Sequence, residues 1–151
     1  MLNELETSTV ICFSGVSRRS EEIIKEQQRR MAAPGDSALE GLRQLKRDAL
    51  EMKDALLRGQ ILRMAEVLNR SWQAKRQTAA AVSSSRIEEL YDLAPSNGAI
   101  GGKVSGAGGG GFMMFIIPPN RRYQVVRALN EAGGSAGGVQ FTANRAESWL
   151  A

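Results

Sequence analysis

The densest chemistry in this sequence lies in one stretch, Gly98-Ala99-Ile100-Gly101-Gly102-Lys103-Val104-Ser105-Gly106-Ala107-Gly108-Gly109-Gly110-Gly111. Eight of its 14 residues are glycine, half of the 16 glycines in a chain of 151 residues. That much glycine costs conformational entropy on folding, so a folded domain carries it only for a reason. One reading is a flexible linker, although such linkers usually mix in Ser, Thr or charged residues and do not run straight into a strand. The other is a loop whose bare backbone amides approach an anion, with left-handed backbone open to most positions. Lys103 and Ser105 then add a positive charge and a hydroxyl beside Gly106, Ala107, Gly108, Gly109, Gly110 and Gly111. The phosphate-loop reading is the stronger, because the apolar strand Phe112-Met113-Met114-Phe115-Ile116-Ile117 follows at once. Neither common nucleotide fingerprint applies. G-x-G-x-x-G must open a helix, whereas here it opens a strand, and Val104 after Gly102-Lys103 breaks the Walker pattern.

The rest of the composition removes other chemistries. There is no histidine, so neither a Ser-His-Asp or Cys-His catalytic set nor a His-containing zinc site can be assembled, and no metal site is expected. Cys12 has no second cysteine to pair with, which fits a reducing compartment. The net charge is +4, from 20 Lys and Arg against 16 Asp and Glu, but acids and bases alternate, as in Arg43-Gln44-Leu45-Lys46-Arg47-Asp48. Such alternation describes solvated helix faces, and no nucleic-acid partner is expected. Phe112 and Phe115 face opposite ways on one strand, which also argues against RNA stacking on a sheet. The longest apolar run is far too short to span a bilayer, and Met1-Leu2-Asn3-Glu4-Leu5-Glu6 lacks a signal-peptide layout. A cytoplasmic protein without a membrane partner is the expectation.

The elements that must position the glycine segment follow from periodicity. Residues 8–14, β-branched and apolar, read as a buried strand closed by Gly15. A helix follows Ser17 and runs through Ile23, Ile24 and Gln27 to about Ala33, where Pro34-Gly35-Asp36 breaks it. A second helix opens at Asp36 or Ser37 with an apolar seam at Leu42, Leu45, Ala49, Met52 and Leu56. Gly59 interrupts it, and Ile61, Ala65, Leu68 and Trp72 continue on a third stretch, giving two helices packed together or one long kinked helix. A fourth carries Ile87, Leu90 and Leu93 inward and ends before Pro95. After the 112–117 strand come a helix over 120–132, with Val125, Val126 and Leu129 apolar, and a strand over 138–142. The order strand, helices, strand, helix, strand predicts one α+β domain over residues 1–151, in which strands distant in sequence pair.

Lys103-Val104-Ser105-Gly106-Ala107-Gly108-Gly109-Gly110-Gly111-Phe112 resembles the third conserved motif of the GHMP kinases, the galactokinase, homoserine kinase and mevalonate kinase relatives. The preceding Gly98-Ala99-Ile100-Gly101-Gly102 is most similar to sugar kinases that act on D-glycero-D-manno-heptose 7-phosphate. Ser14-Gly15-Val16-Ser17-Arg18 is similar to the turn after the first strand of their C-terminal halves. The resemblance implies a ferredoxin-like antiparallel sheet with additional helices. It implies ATP with Mg2+ as cofactor and a sugar phosphate as substrate of the complete enzyme. The family's Gly-Leu-Gly-Ser-Ser-Ala loop and its acidic catalytic residue have no match here, so no catalytic residue is assigned, and the N-terminal ATP-loop domain is expected to be missing.

On this resemblance Gly106 to Gly111 bring amides and steric room to the phosphoryl-transfer cleft, and Ser105 bonds a phosphate or substrate oxygen. Lys103 either adds charge there or is a strand-edge lysine. Ser17 and Arg18 are weaker substrate candidates, Arg18 being better explained as a helix-start arginine. The expected function is the C-terminal part of an ATP-dependent sugar kinase, inactive alone; the alternative is a non-catalytic module that binds a ligand or self-associates.

Overall fold

The computed structural model describes residues 1–17, 20–33 and 37–142. Its strands are β1 (Thr9–Phe13), β2 (Gly101–Val104), β3 (Phe112–Ile116) and β4 (Ser135–Gly138). They form one sheet in the order β2-β3-β1-β4, and every neighbouring pair is antiparallel. Six α-helices surround the sheet: α1 (Leu2–Ser8), α2 (Ser20–Ala32), α3 (Ser37–Leu57), α4 (Ile61–Arg76), α5 (Ser85–Ser96) and α6 (Arg122–Glu131). With α2 to α5 between β1 and β2, and α6 between β3 and β4, this is the expected ferredoxin-like α+β arrangement with added helices.

Alternation along the strands sorts side chains to two faces. Val10, Cys12, Val104, Met113 and Phe115 point into the main core, where they meet Trp72, Ile87, Leu90, Tyr91, Val125 and Leu129. Trp72, Tyr91 and Phe115 form a chain of tilted rings with centroids 5.8 and 6.0 Å apart. On the opposite face Ile116 packs with Ala65 and Leu68, while Phe112, at the far end of β3, stays 52% exposed against Phe13. Phe112 and Phe115 do face opposite ways.

Helix α4 carries its four expected apolar positions toward the protein, but α3 is rotated from the expected seam. Its buried residues are Ala38, Gly41, Asp48 and Ala55, and Ala49 and Leu56 are exposed. The reason is close helix approach: a Cβ on Gly41 would sit 2.7 Å from the Ala74 carbonyl oxygen, so α3 and α4 meet along small residues. Helix α5 passes through Pro95 instead of ending before it. In the last turn a proline forfeits only one intrahelical bond, and Gly98, at φ 113°, closes the helix as the Gly98 and Ala99 amides donate to the Pro95 and Ala94 carbonyls. Helix α1 was not signalled by periodicity, and the expected break at Pro34-Gly35-Asp36 lies outside the described residues.

Strand β2 is hidden in the glycine segment and β4 precedes the β-branched stretch expected for it. Register explains β4: Gly138 pairs with Val10 near the start of β1, and Asn130 of α6 bonds both the amide and the carbonyl of Ala136. Beyond Gly138 the pairing runs out, whatever the propensity of the residues after it.

The β2 edge is covered by α4. Asn69 accepts from the Gly102 amide at 2.9 Å and donates to the Ile100 carbonyl at 3.1 Å, so one side chain stands in for a neighbouring strand. Gly101 lies so close that a Cβ there would be 2.2 Å from the Ala65 carbonyl oxygen. Gly101→Ala should therefore destabilise the chain by about 1–3 kcal/mol in urea unfolding, whereas Gly137→Ala, with nothing within 4 Å of the added carbon, should change stability by less than about 0.5 kcal/mol.

Candidate functional site

Residues 105–111 connect β2 to β3, and the Ser105 amide closes the loop on the Phe112 carbonyl at 2.8 Å. Other parts of the chain hold the loop down. The Gly109 amide donates to the Val82 carbonyl at 2.6 Å and the Gly111 amide to the Val16 carbonyl at 2.7 Å, while the Ser14 amide donates to the Gly111 carbonyl at 2.9 Å. Two glycines are dictated by this closeness. A Cβ on Gly108, at φ 101°, would come 2.6 Å from the Val82 carbonyl oxygen, and one on Gly110 would come 2.6 Å from that of Val16. The loop is thus a clamped hairpin connection, not a linker.

Clamping divides the amides into two sets. Those of Ser105, Gly109 and Gly111 are spent on protein carbonyls; those of Gly106, Ala107, Gly108 and Gly110 donate to no described residue. The loop borders a hollow of about 270 Å³ lined also by Ser17, Ser20, Ser105 and Phe112. No carboxylate lines it. Ser20 opens α2, so the positive end of that helix adds to the field of the free amides. Hydroxyls, free amides and a helix start together form a donor set for an oxyanion.

Of the residues singled out from sequence, Ser17, Ser105, Gly106, Ala107, Gly108, Gly110 and Gly111 are brought to this hollow, and Gly109 sits buried beneath it. Lys103 is not. Its side chain lines a separate cavity with Lys75 and Asp48. Arg18 lies outside the described residues. Sequence reasoning missed Ser20 and Lys75. A serine one turn after Ser17 was a visible cue for the first; nothing in the sequence marks a lysine near the end of α4 as a partner of the loop.

Lys75 is 9% exposed, and its ammonium donates to the Gly106 carbonyl, tying α4 to the start of the loop. Burial, with a smaller contribution from the Lys103 charge, pushes the Lys75 ammonium down to about 8 from its ordinary 10.5. Burial also lowers Lys103, against a weaker opposing pull from Asp48. Among the described residues no group of three or more His, Cys, Asp or Glu side chains is placed to hold a metal ion. No helix among the described residues is long and apolar enough to cross a membrane.

This fold, with its glycine-rich β2–β3 connection, is that of a small-molecule kinase C-terminal domain. The family model for the GHMP kinases C terminal matches residues 52–135, and the chain belongs to that family. Over 147 residues it is 36% identical to the D-glycero-alpha-D-manno-heptose 7-phosphate kinase of Campylobacter jejuni, covering 97% of this chain and 43% of that protein. A solved Campylobacter jejuni structure described as a sugar kinase matches at 35% identity and TM-score 0.64, over 98% of this chain and 40% of that one. The L. major mevalonate kinase bound to R-mevalonate shares the fold at 19% identity and TM-score 0.78, over 90% of this chain and 43% of that one. The chain thus spans less than half the length of the relatives it matches.

The Lys75 environment makes a signed prediction. Between about pH 8 and 10.5 the unfolded chain holds a proton that the folded chain has released, so the cost of burying the charge is full below pH 8 and fades as pH rises. Wild-type stability measured against Lys75→Met should rise across that window. A flat difference would mean that the ammonium is not desolvated.

Proposed function

We propose that this chain is the C-terminal domain of an ATP-dependent sugar kinase acting on a heptose phosphate, and that residues 105–111 form one wall of its phosphoryl-transfer cleft. The observation that carries the reading is the set of four free loop amides beside three serine hydroxyls in a hollow without carboxylates. Phosphoryl transfer asks the protein for little covalent chemistry and much positioning and charge stabilisation. Amides held rigidly by Val82, Val16 and Ser14 meet that demand, since fixed donors need not reorganise as charge develops. Ser105, exposed at the loop entrance, is set to bond a phosphate or substrate oxygen, and Ser17 with Ser20 to orient it from the opposite side. The 36% identity to the heptose 7-phosphate kinase supports the sugar class.

The donor set fits the phosphates of ATP but not Mg2+, for which the hollow offers no carboxylate. In this reading the metal and the main nucleotide loop belong to an N-terminal domain outside this chain, as does the acidic catalytic residue. Bound ATP supplies the transferred group; the residues here hold its oxygens and keep the loop closed. In a two-domain protein that supplies the missing half, Gly108→Val should lower kcat with heptose 7-phosphate by about 100-fold, as expected for a loop displaced by about an ångström. The 151-residue chain alone should give no ATP consumption. Robust turnover by the chain alone, or an unchanged kcat in the variant, would sink the proposal.

Exposed Phe112, its ring tilted against Phe13 with centroids 5.2 Å apart, favours a second reading in which the chain self-associates. Sedimentation of wild type and Phe112→Ser decides it: a dimer lost in the variant supports self-association, and a monomer in both removes it.

A further inference from the structure

Apart from the serine hollow, α3, α4 and β2 border a half-open cavity of about 260 Å³ that the kinase reading does not use. Its walls are apolar, from Leu45 and Met52 of α3 and Val67 and Leu68 of α4, and two lysines, Lys75 and Lys103, line it. No carboxylate among the described residues bonds either ammonium, although the Asp48 charge acts on Lys103. Asp48 also lines the cavity and is fully buried, but its oxygens are already taken: Oδ1 accepts from Gln44 Nε2 and Arg70 Nε, both at 2.7 Å, and Oδ2 accepts from Ser71 Oγ at 2.9 Å. Glu51, one turn further along α3, is paired with Arg63 and Arg70. Lys75 spends one of its three donors on the Gly106 carbonyl, and Lys103 makes no hydrogen bond or ion pair with any described residue.

Lys103 has no bonded side-chain partner among the described residues and Lys75 has one carbonyl for three donors, so two ammonium groups lining one largely apolar cavity are short of the partners that desolvated charges require. We infer that this cavity binds a small oxyanion, a phosphate or carboxylate head on a short aliphatic body, with the head between Lys75 and Lys103 and the body against Leu45, Met52, Val67 and Leu68. The depressed Lys75 and Lys103 ammoniums agree with a site that is short of negative charge. Because the same Lys75 ammonium holds the Gly106 carbonyl, an anion that keeps it charged also keeps the start of the glycine loop tied to α4. The site is then an effector site, separate from the serine hollow.

Titration calorimetry on the 151-residue chain tests this without ATP, so its outcome is independent of the kinase reading. The probes are n-butyl phosphate, hexanoate and inorganic phosphate, at ionic strength held constant with chloride. One of the two amphiphiles should bind at least fivefold tighter than inorganic phosphate, and which one does so identifies the head group. Lys75→Met and Lys103→Met should each weaken that binding at least tenfold, with Lys103→Arg recovering part of it. Amide exchange of residues 106–108 should slow when the probe binds to wild type and not when it is added to Lys75→Met. Should Lys75→Met fail to fold, Lys103→Met, at a strand position without a hydrogen bond to lose, carries the test. Ser17→Asp puts a carboxylate into the serine hollow at an exposed position and should leave cavity binding intact. Absence of binding at 50 mM probe overturns the inference. So does binding that survives both lysine variants and is lost in Ser17→Asp, since the anion then sits in the serine hollow.

Discussion

The seating of α4 on the edge of β2 governs the rest of the molecule. An edge strand with no side chains at Gly101 and Gly102 has little packing of its own to hold it in place. It is held instead by backbone contact with Ala65 and by the Asn69 amide, which pairs with Ile100 and Gly102 as a strand would. The Tyr91 hydroxyl, 3.0 Å from Asn69 Oδ1 and 3.1 Å from the Gly102 carbonyl, anchors the same point to the aromatic core. With β2 set, β3 is in register, and both legs of the glycine loop are placed. The ammonium of Lys75, two turns further along α4 from Asn69, then reaches the first carbonyl of the loop.

The loop shows how glycine can serve rigidity. Bare backbone lets Val82 and Val16 approach within hydrogen-bond distance of Gly109 and Gly111, and those bonds freeze the segment that glycine alone would leave loose. The amides left over all belong to residues 106, 107, 108 and 110, and these face the hollow as a group. Order in the loop is therefore supplied by distant chain segments, near residues 14–16, 75 and 82. A domain built this way presents preset donors to an anion and pays the entropic cost during folding, not on binding.

Much of this was legible in the residues themselves. Apolar spacing located α4, α5 and α6, the run 112–117 located β3, and the KVSGAGGGG phrase located the loop and its family. Other features were not. The buried face of α3 is decided by Gly41 meeting the Ala74 carbonyl, a contact that hydropathy cannot see because the residues that make it are small. Strand β2 is two glycines, a lysine and a valine, whose strand state comes from β3 and Asn69 and not from propensity. Lys103 stood next to the loop in sequence, yet its side chain lines the cavity beside Lys75 and not the serine hollow.

The sequence by itself determined the chemistry on offer: no imidazole, a glycine loop with serines nearby, and a resemblance to the C-terminal part of a longer kinase. Local composition suffices for that, because φ freedom, hydroxyls and the absence of histidine are properties of single residues. Tertiary structure alone decided which loop amides stay free, which lysine ties the loop down and which faces a second cavity. Those outcomes depend on distances between segments as far apart in the chain as Ser14 and Gly111, and no local pattern encodes the direction in which such segments meet.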